Sequence, residues 1–254
     1  MILSVQDVSI TYMIGDFREI GLKEFVMRKL TGTYKSERFL AVNDVSFSLD
    51  KGDMLGIVGV NGAGKSTLLK VISGVLAPSS GTVIANGKVV ALLELASGFD
   101  GDLTIRENIY LRGALLGYTR NFVDEKYDEI LSFSELEGLE DRPFRNLSTG
   151  MMSRLAFSIA CFVQPDILIL DEVLAVGDGA FQEKSEKRMR GIINSGAVTI
   201  LVSHSLGQIR ELCTKVLWLD HGRQVAFGET EPLCDAYQQF LDEREKPGTA
   251  GGTC

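Results

Sequence analysis

Residues 59–67 read GVNGAGKST and fit the pattern G-x-x-x-x-G-K-[ST]. Glycines at these spacings let backbone N–H groups turn inward around a phosphate, and a helix beginning at Lys65 presents its positive N-terminal end to the same anion. Lys65 is predicted to reach the β- and γ-phosphates as a catalytic residue, and Ser66 is suited to hold Mg²⁺. The predicted ATP-binding residues of this loop are Gly59, Asn61, Gly62, Ala63, Gly64, Lys65, Ser66 and Thr67.

The segments on both sides of this loop support the same interpretation. Residues 54–58 are a compact apolar run that predicts a buried strand, and a helix is predicted from Lys65 to about Ser73. A purely structural glycine turn is the alternative, but it requires neither the strand nor the helix. The strand–loop–helix order therefore favours a nucleotide site.

A second apolar run, residues 167–172, reads ILILDE and ends in two carboxylates. Strand ends in an open α/β sheet lie at the edge where ligands bind, so this pair is expected near the glycine-rich loop at residues 59–67, which we call the P-loop. Asp171 is predicted to hold Mg²⁺ directly or through water, and Glu172 to act as the general base on the attacking water. In isolation, a solvated strand end followed by a turn explains the pair equally well. The upstream P-loop favours the catalytic interpretation.

Strand and helix patterns alternate along the chain, which predicts an α/β fold with a mostly parallel sheet covered on both faces. The predicted strands lie at about 1–12, 42–49, 54–58, 81–95, 167–170, 198–202, 216–220 and 224–226. The predicted helices lie at about 20–30, 65–73, 104–138, after 148, at 180–194 and at 231–243, and the tail 244–254 is predicted to be disordered.

Charge and hydropathy exclude some functions. The net charge of −8 argues against a nucleic-acid partner, because such proteins need a basic face to meet phosphates. No apolar run approaches the roughly 18 residues that span a bilayer, and the N-terminus lacks the pattern of a signal peptide. If the protein serves a membrane process, another chain is expected to cross the membrane.

Residues 147–151, LSTGM, precede a predicted helix and the acid pair. The segment resembles the LSGGQ signature motif of ATP-binding cassette (ABC) proteins. The resemblance implies that Ser148 and the Gly150 backbone bind the γ-phosphate of a nucleotide held by a second subunit, in a head-to-tail homodimer with two ATP molecules at the seam. Without that context, Ser148 reads as a plain helix N-cap.

Other segments match the ABC pattern in chain order. Residues 175–178, AVGD, stand at the position of the D-loop, and His204 matches the catalytic switch histidine that senses the γ-phosphate. Tyr12 resembles the aromatic residue that stacks on adenine, with Phe39 as its rival. The resemblance covers residues 2–228. It implies an ABC ATPase fold over 1–243, with an antiparallel β subdomain and a helical signature subdomain at about 100–162.

The departures from the general ABC pattern are informative. The signature has Thr149 and Met151 where Gly and Gln are usual, and residues 91–99, ALLELASGF, lack the Q-loop glutamine, with Glu94 nearest its position. These segments, together with residues 171–184, DEVLAVGDGAFQEK, resemble the subfamily that exports polysaccharides and polyol phosphates such as O-antigen, capsule and teichoic acid. The insertion at 21–25 also resembles that subfamily, where it faces the membrane partner. A surface helix covering the sheet edge is the alternative for that segment.

The implied function is ATP hydrolysis that powers polymer export through a separate transmembrane permease. The implied cofactors are ATP and Mg²⁺, and the implied location is peripheral, on the cytoplasmic face of the cell membrane. An ABC ATPase of another transport class is one alternative. A soluble, non-transport ABC ATPase is another, although the long coiled coil or second cassette of such proteins is missing from the sequence.

Overall fold

The computed structural model describes residues 1–14, 37–92, 98–162, 165–171, 179–203 and 205–245. Within these ranges the strands are β1 (Leu3–Ile14), β2 (Glu37–Leu49), β3 (Met54–Val58), β4 (Ser80–Ala85), β5 (Val89–Ala91), β6 (Ile167–Asp171), β7 (Val198–Val202), β8 (Lys215–Asp220) and β9 (Arg223–Glu229). The α-helices are α1 (Lys65–Ile72), α2 (Ile105–Leu115), α3 (Arg120–Ser134), α4 (Thr149–Cys161), α5 (Gly179–Ile193), α6 (Leu206–Leu212) and α7 (Thr230–Glu245).

The strands form one sheet in the order β4-β1-β2-β9-β8-β3-β7-β6-β5. Strands β8, β3, β7, β6 and β5 pair in parallel, whereas β1 pairs antiparallel with both β2 and β4. Strand β9 joins the two regions, because it pairs antiparallel with β8 and in parallel with β2. This mixed sheet confirms the predicted α/β fold with a parallel core and an antiparallel β region.

Both faces of the central strands are buried, as their apolar runs predict. Alternate residues point to opposite faces of a strand. Leu55 and Ile57 of β3 therefore pack on the face covered by α1, in a cluster that includes Leu68 and Leu69. Met54 and Val58 pack on the other face in a second cluster, to which α4, α5, α6 and α7 contribute. Helices therefore cover both faces of the parallel strands, and the strand ends are left at one edge of the sheet.

The helices between residues 98 and 162 have a hydrophobic cluster of their own. Thr104 caps α2 in a capping box with Glu107, and the buried Asn108 side chain donates to the backbone oxygens of Asp100 and Thr104 at 2.8 and 3.0 Å. These bonds fix the chain that leads into the cluster. The predicted helical subdomain at about 100–162 contains this cluster, and its limits remain a prediction.

Several predicted boundaries were wrong. β1 extends to Ile14 and β2 begins at Glu37, because the two strands pair along their whole outer halves. Helix α7 runs to Glu245, two residues into the predicted tail, since its aromatic residues pack against β8. The predicted helix at 20–30 lies outside the described residues. In the part of the chain that is described, no helix has the length and hydropathy needed to cross a bilayer.

Candidate functional site

The loop between β3 and α1 packs tightly against two neighbouring backbone segments. A Cβ on Gly59 would lie 2.4 Å from the carbonyl oxygen of Leu219, and a Cβ on Gly64 would lie 2.6 Å from that of Ala41. Gly64 also has φ of +99°, which favours glycine. Any larger residue at either position would push the loop away from the sheet edge. The glycines therefore set the shape of the loop as well as its access to a ligand.

Lys65 is 9% exposed and turns back over the loop that precedes it. Its Nζ donates to the carbonyl oxygens of Gly59 and Val60, at 2.6 and 3.2 Å. These bonds hold the ammonium group against the first residues of the loop. The positive charge thus lies beside the N-terminal end of α1, where it adds to the attraction for an anion.

A cavity of about 370 Å³ opens at this loop. It is lined by Phe39, Ala41, Val202 and residues 61–67, which together carry no carboxylate. Its glycine backbone, the Lys65 ammonium and the exposed Ser66 hydroxyl suit the phosphates of a nucleotide. The first turn of α1 contains no acidic residue that would repel them. The residues present therefore fit ATP, and the oxygen of Ser66 suits a hard cation such as Mg²⁺.

The two aromatic candidates for adenine stacking are cross-strand neighbours. Tyr12 on β1 lies directly opposite Phe39 on β2, so the two side chains share one face of the antiparallel pair. Phe39 is 50% exposed and lines the P-loop cavity, whereas Tyr12 is not among the described residues that line it. The geometry favours Phe39 over the predicted Tyr12 as the ring that meets the base.

The strand that ends in the acid pair lies close to the P-loop strand. β6 ends at Asp171, which pairs in parallel with Val202 at the end of β7, and Val202 lines the P-loop cavity. β7 in turn pairs with β3, so the ends of all three strands share one edge of the sheet. Glu172, the D-loop segment 175–178 and Glu94 lie outside the described residues.

His204 also lies outside the described residues. Its two neighbours in the sequence, Ser203 and Ser205, form hydrogen bonds that the structure describes. The Ser203 hydroxyl donates to Gln208 Oε1 at 2.7 Å and accepts from the Ser205 backbone N–H at 3.0 Å. Ser205 caps α6 by accepting from the Gln208 backbone N–H. These bonds fix the backbone at both neighbours of position 204, just beyond the end of β7.

The signature segment does not meet the P-loop cavity of its own chain. Ser148 is the N-cap of α4, and its Oγ accepts from the Met151 backbone N–H at 3.3 Å. A Cβ on Gly150 would meet no atom within 4 Å, so the start of α4 is open. Among the described residues that line the P-loop cavity, none comes from α4. The N-cap interpretation of Ser148 is correct, and the open helix end leaves its role toward a second subunit as a prediction.

One contact with the P-loop was missed at the sequence level. Tyr237 on α7 is buried, packs edge-on against Trp218, and lines a second cavity behind residues 58–61. Burial raises the pKa of Tyr237, and a hydrogen bond with the Gly59 backbone opposes that shift. The C-terminal helix thus supports the back of the loop. The sequence predicted this helix, but no motif marks the contact, because it joins segments from opposite ends of the chain.

The glycine loop, the buried lysine and the shared strand edge define an α/β P-loop nucleotide-binding domain. Comparison with known families narrows this class. The family model for ABC transporters matches residues 42–175, which is more than half of the chain. The chain belongs to the ABC transporter family.

Similar proteins have been named in two export systems. The chain is 41% identical over 223 residues to the O-antigen export system ATP-binding protein RfbB of Klebsiella pneumoniae, covering 87% of this chain and 91% of that protein. It is 36% identical over 228 residues to the teichoic acids export ATP-binding protein TagH of Staphylococcus haemolyticus, covering 90% and 86%. These identities confirm the predicted resemblance to the exporter subfamily.

A solved structure confirms the fold. The dimeric ATP-binding cassette MJ0796, in a post-hydrolysis state bound to ADP and Pi, matches with a TM-score of 0.66 at 20% identity. The match covers 90% of this chain and 99% of that one. At this identity the likeness establishes the cassette fold.

The choice between the two aromatic residues is testable by nucleotide binding. We expect Phe39→Ala to weaken ATP binding by about tenfold, because stacking of one base on an aromatic ring contributes about 1–3 kcal/mol. Tyr12→Ala serves as the matched control and should change the dissociation constant less than about threefold. Isothermal titration with ATP measures both. A larger loss for Tyr12→Ala than for Phe39→Ala would reverse the assignment.

Proposed function

We propose that this chain is the ATP-hydrolysing subunit of a transporter that exports a polysaccharide or polyol phosphate polymer through a separate permease. The P-loop cavity carries the proposal: its closely packed glycines, the buried Lys65 and the open Ser66 hydroxyl form a site for the phosphates of ATP. The names of the relatives support the polymer class, since one is named for O-antigen export and the other for teichoic acids export.

The site residues divide the work of hydrolysis. Lys65 neutralises the β- and γ-phosphates, and Ser66 and Asp171 would hold Mg²⁺. When bound, that ion would offset the charge on the phosphate oxygens. In this proposal Glu172, the next residue in the sequence after Asp171, accepts the proton of the attacking water, and His204, which lies between Ser203 and Ser205 in the sequence, contacts the γ-phosphate.

A second copy of the chain completes each site. The start of α4, with the Ser148 hydroxyl and the Gly150 backbone, is open to solvent and does not belong to the P-loop cavity of its own chain. A helix N-terminus attracts phosphate, so it suits the γ-phosphate of a nucleotide held by a partner. The dimeric form of the similar cassette supports a dimer, and a head-to-tail arrangement with two ATP molecules is our proposal for its geometry.

The permease supplies the membrane crossing. ATP binding closes the dimer and hydrolysis reopens it, and the permease converts this cycle into movement of the polymer. The chain then acts as a peripheral protein on the cytoplasmic face of the membrane, where ATP is available. The resemblance at segments 21–25 and 91–99 supports these as the parts that face the permease.

The catalytic assignment is tested by hydrolysis at several protein concentrations. Specific activity should rise with concentration, because each site needs two chains. Glu172→Gln should lower the turnover number at least about a hundredfold, since general-base catalysis contributes about 10²–10⁴-fold. The same variant should still dimerise with ATP.

Glu183→Gln is the matched control for that experiment, because Glu183 is an exposed carboxylate on α5. It should hydrolyse ATP at the normal rate. Activity that is independent of concentration and survives Glu172→Gln would show that both the base and the shared site are assigned wrongly. Absence of ATP-driven dimerisation in Glu172→Gln would contradict the shared site on its own.

The class of polymer that is transported can be tested in cells that make this protein. Replacing the chain with Lys65→Ala should leave the surface polymer inside the cell, because the nucleotide site can no longer drive export. Lys126→Ala is a suitable control, since Lys126 lies on α3 and its ion pair among the described residues is with the exposed Glu129. Fractionation of cell-surface and intracellular polymer measures the effect. Normal surface polymer in the Lys65→Ala cells would place the protein in another transport class.

A further inference from the structure

A second kind of cavity in the described part of the chain lies away from the P-loop. We call it the basic groove, and it is lined by Lys51, Asp166 and the α5 residues Lys184, Lys187 and Arg188, with apolar residues between them. Its volume is about 860 Å³, within the range of small-molecule sites. The nucleotide function does not use it.

The groove lies at the opposite edge of the sheet from the nucleotide. Asp166 immediately precedes β6 and Ala197 immediately precedes β7, so both lining residues stand at strand beginnings. The P-loop instead follows the end of β3, which runs parallel to β7. A five-residue strand spans roughly 16 Å, so the two cavities are separate.

Four cations meet one carboxylate in the basic groove. Lys184, Lys187 and Arg188 are spaced i, i+3 and i+4 along α5 and therefore share one face of the helix. Lys51 comes from the turn before β3, and a Cβ on Gly196 would lie 3.3 Å from its Cε. This excess of positive charge occurs in a chain whose net charge is −8.

Some charged side chains of the groove already form hydrogen bonds within the protein. Lys184 Nζ donates to the Phe133 carbonyl at 3.0 Å, and Arg188 Nε donates to the Cys161 carbonyl at 3.2 Å. The carboxylate of Asp166 accepts from the Lys88 backbone N–H at 2.7 Å. Within the described structure, Lys51 and Lys187 form no ion pair or side-chain hydrogen bond. Their ammonium groups are available to a ligand.

The wall between the cations is apolar. Phe133 and Ile192 line the groove together with Pro165 and Ala197. Gly191 also lines it, and a Cβ there would meet no atom within 4 Å, so the space above this residue is open. A ligand of this groove therefore combines an anionic group with a carbon body.

We propose that the basic groove binds a small phosphate ester. Its phosphate lies between the ammonium groups of Lys51 and Lys187, and its carbon body lies against Phe133 and Ile192. Lysine acts as a point charge for phosphate, and a concave site in which positive charge exceeds negative charge attracts anionic ligands. A soluble phosphate ester and a phospholipid headgroup share this chemistry.

Calorimetric titration tests the proposal on the full chain, with ADP and Mg²⁺ in excess so that the P-loop is filled. The soluble probe is glycerol 3-phosphate, and the lipid probe is vesicles of phosphatidylglycerol compared with phosphatidylcholine. The double variant Lys51→Gln with Lys187→Gln should weaken binding by about tenfold or more. Both residues are exposed, so the fold should be unchanged. Lys126→Gln with Arg142→Gln removes the same charge elsewhere and should change binding less than about twofold.

A steric variant makes the test independent of charge. Gly191→Leu places a side chain in the open part of the groove and should abolish binding, whereas Gly191→Ala should leave most of it. Both changes favour the helix, so loss of structure would not explain a loss of binding. Binding of glycerol 3-phosphate would indicate a soluble ligand, and binding of phosphatidylglycerol vesicles alone a headgroup. Absence of binding to both probes, or binding that survives the lysine and leucine variants, would overturn the proposal.

Discussion

The tight packing of the P-loop against the sheet edge is the constraint on which the site depends. Carbonyl oxygens of Ala41 and Leu219 leave no room for a side chain at Gly64 and Gly59, so the loop can lie flat only with glycine at both positions. Lys65 then closes over the loop by bonding to its carbonyls. The cavity, its positive charge and its position beside β7 all follow from this arrangement.

The central strands could be predicted because each is a short run of apolar residues. Such a run indicates a strand that is buried on both faces, as these strands are. The register of β1 and β2 could not be predicted in the same way. The choice between Tyr12 and Phe39 depends on that register and on how the strand pair meets the P-loop. A motif at one position does not contain this information, so the sequence left both residues as candidates, and the cavity lining favours Phe39.

Contacts between segments that are distant in the sequence could not be predicted either. The support of the P-loop by Tyr237 joins β3 to the last helix, and the basic groove combines a turn residue, Lys51, with one face of α5. Helical spacing alone shows that Lys184, Lys187 and Arg188 share a face, but such a face is usually solvated. Only the fold shows that this face borders a concave space, with strand beginnings opposite it.

The central claim is that each ATP site takes its P-loop from one chain and its signature segment from another. Mixing Lys65→Ala with Ser148→Arg tests it most directly, because each variant alone loses both sites of its homodimer. A mixed dimer regains one intact site, so the mixture should recover up to about a quarter of normal ATP hydrolysis. A mixture that is as inactive as the separate variants would contradict the account, as would full activity of Ser148→Arg alone.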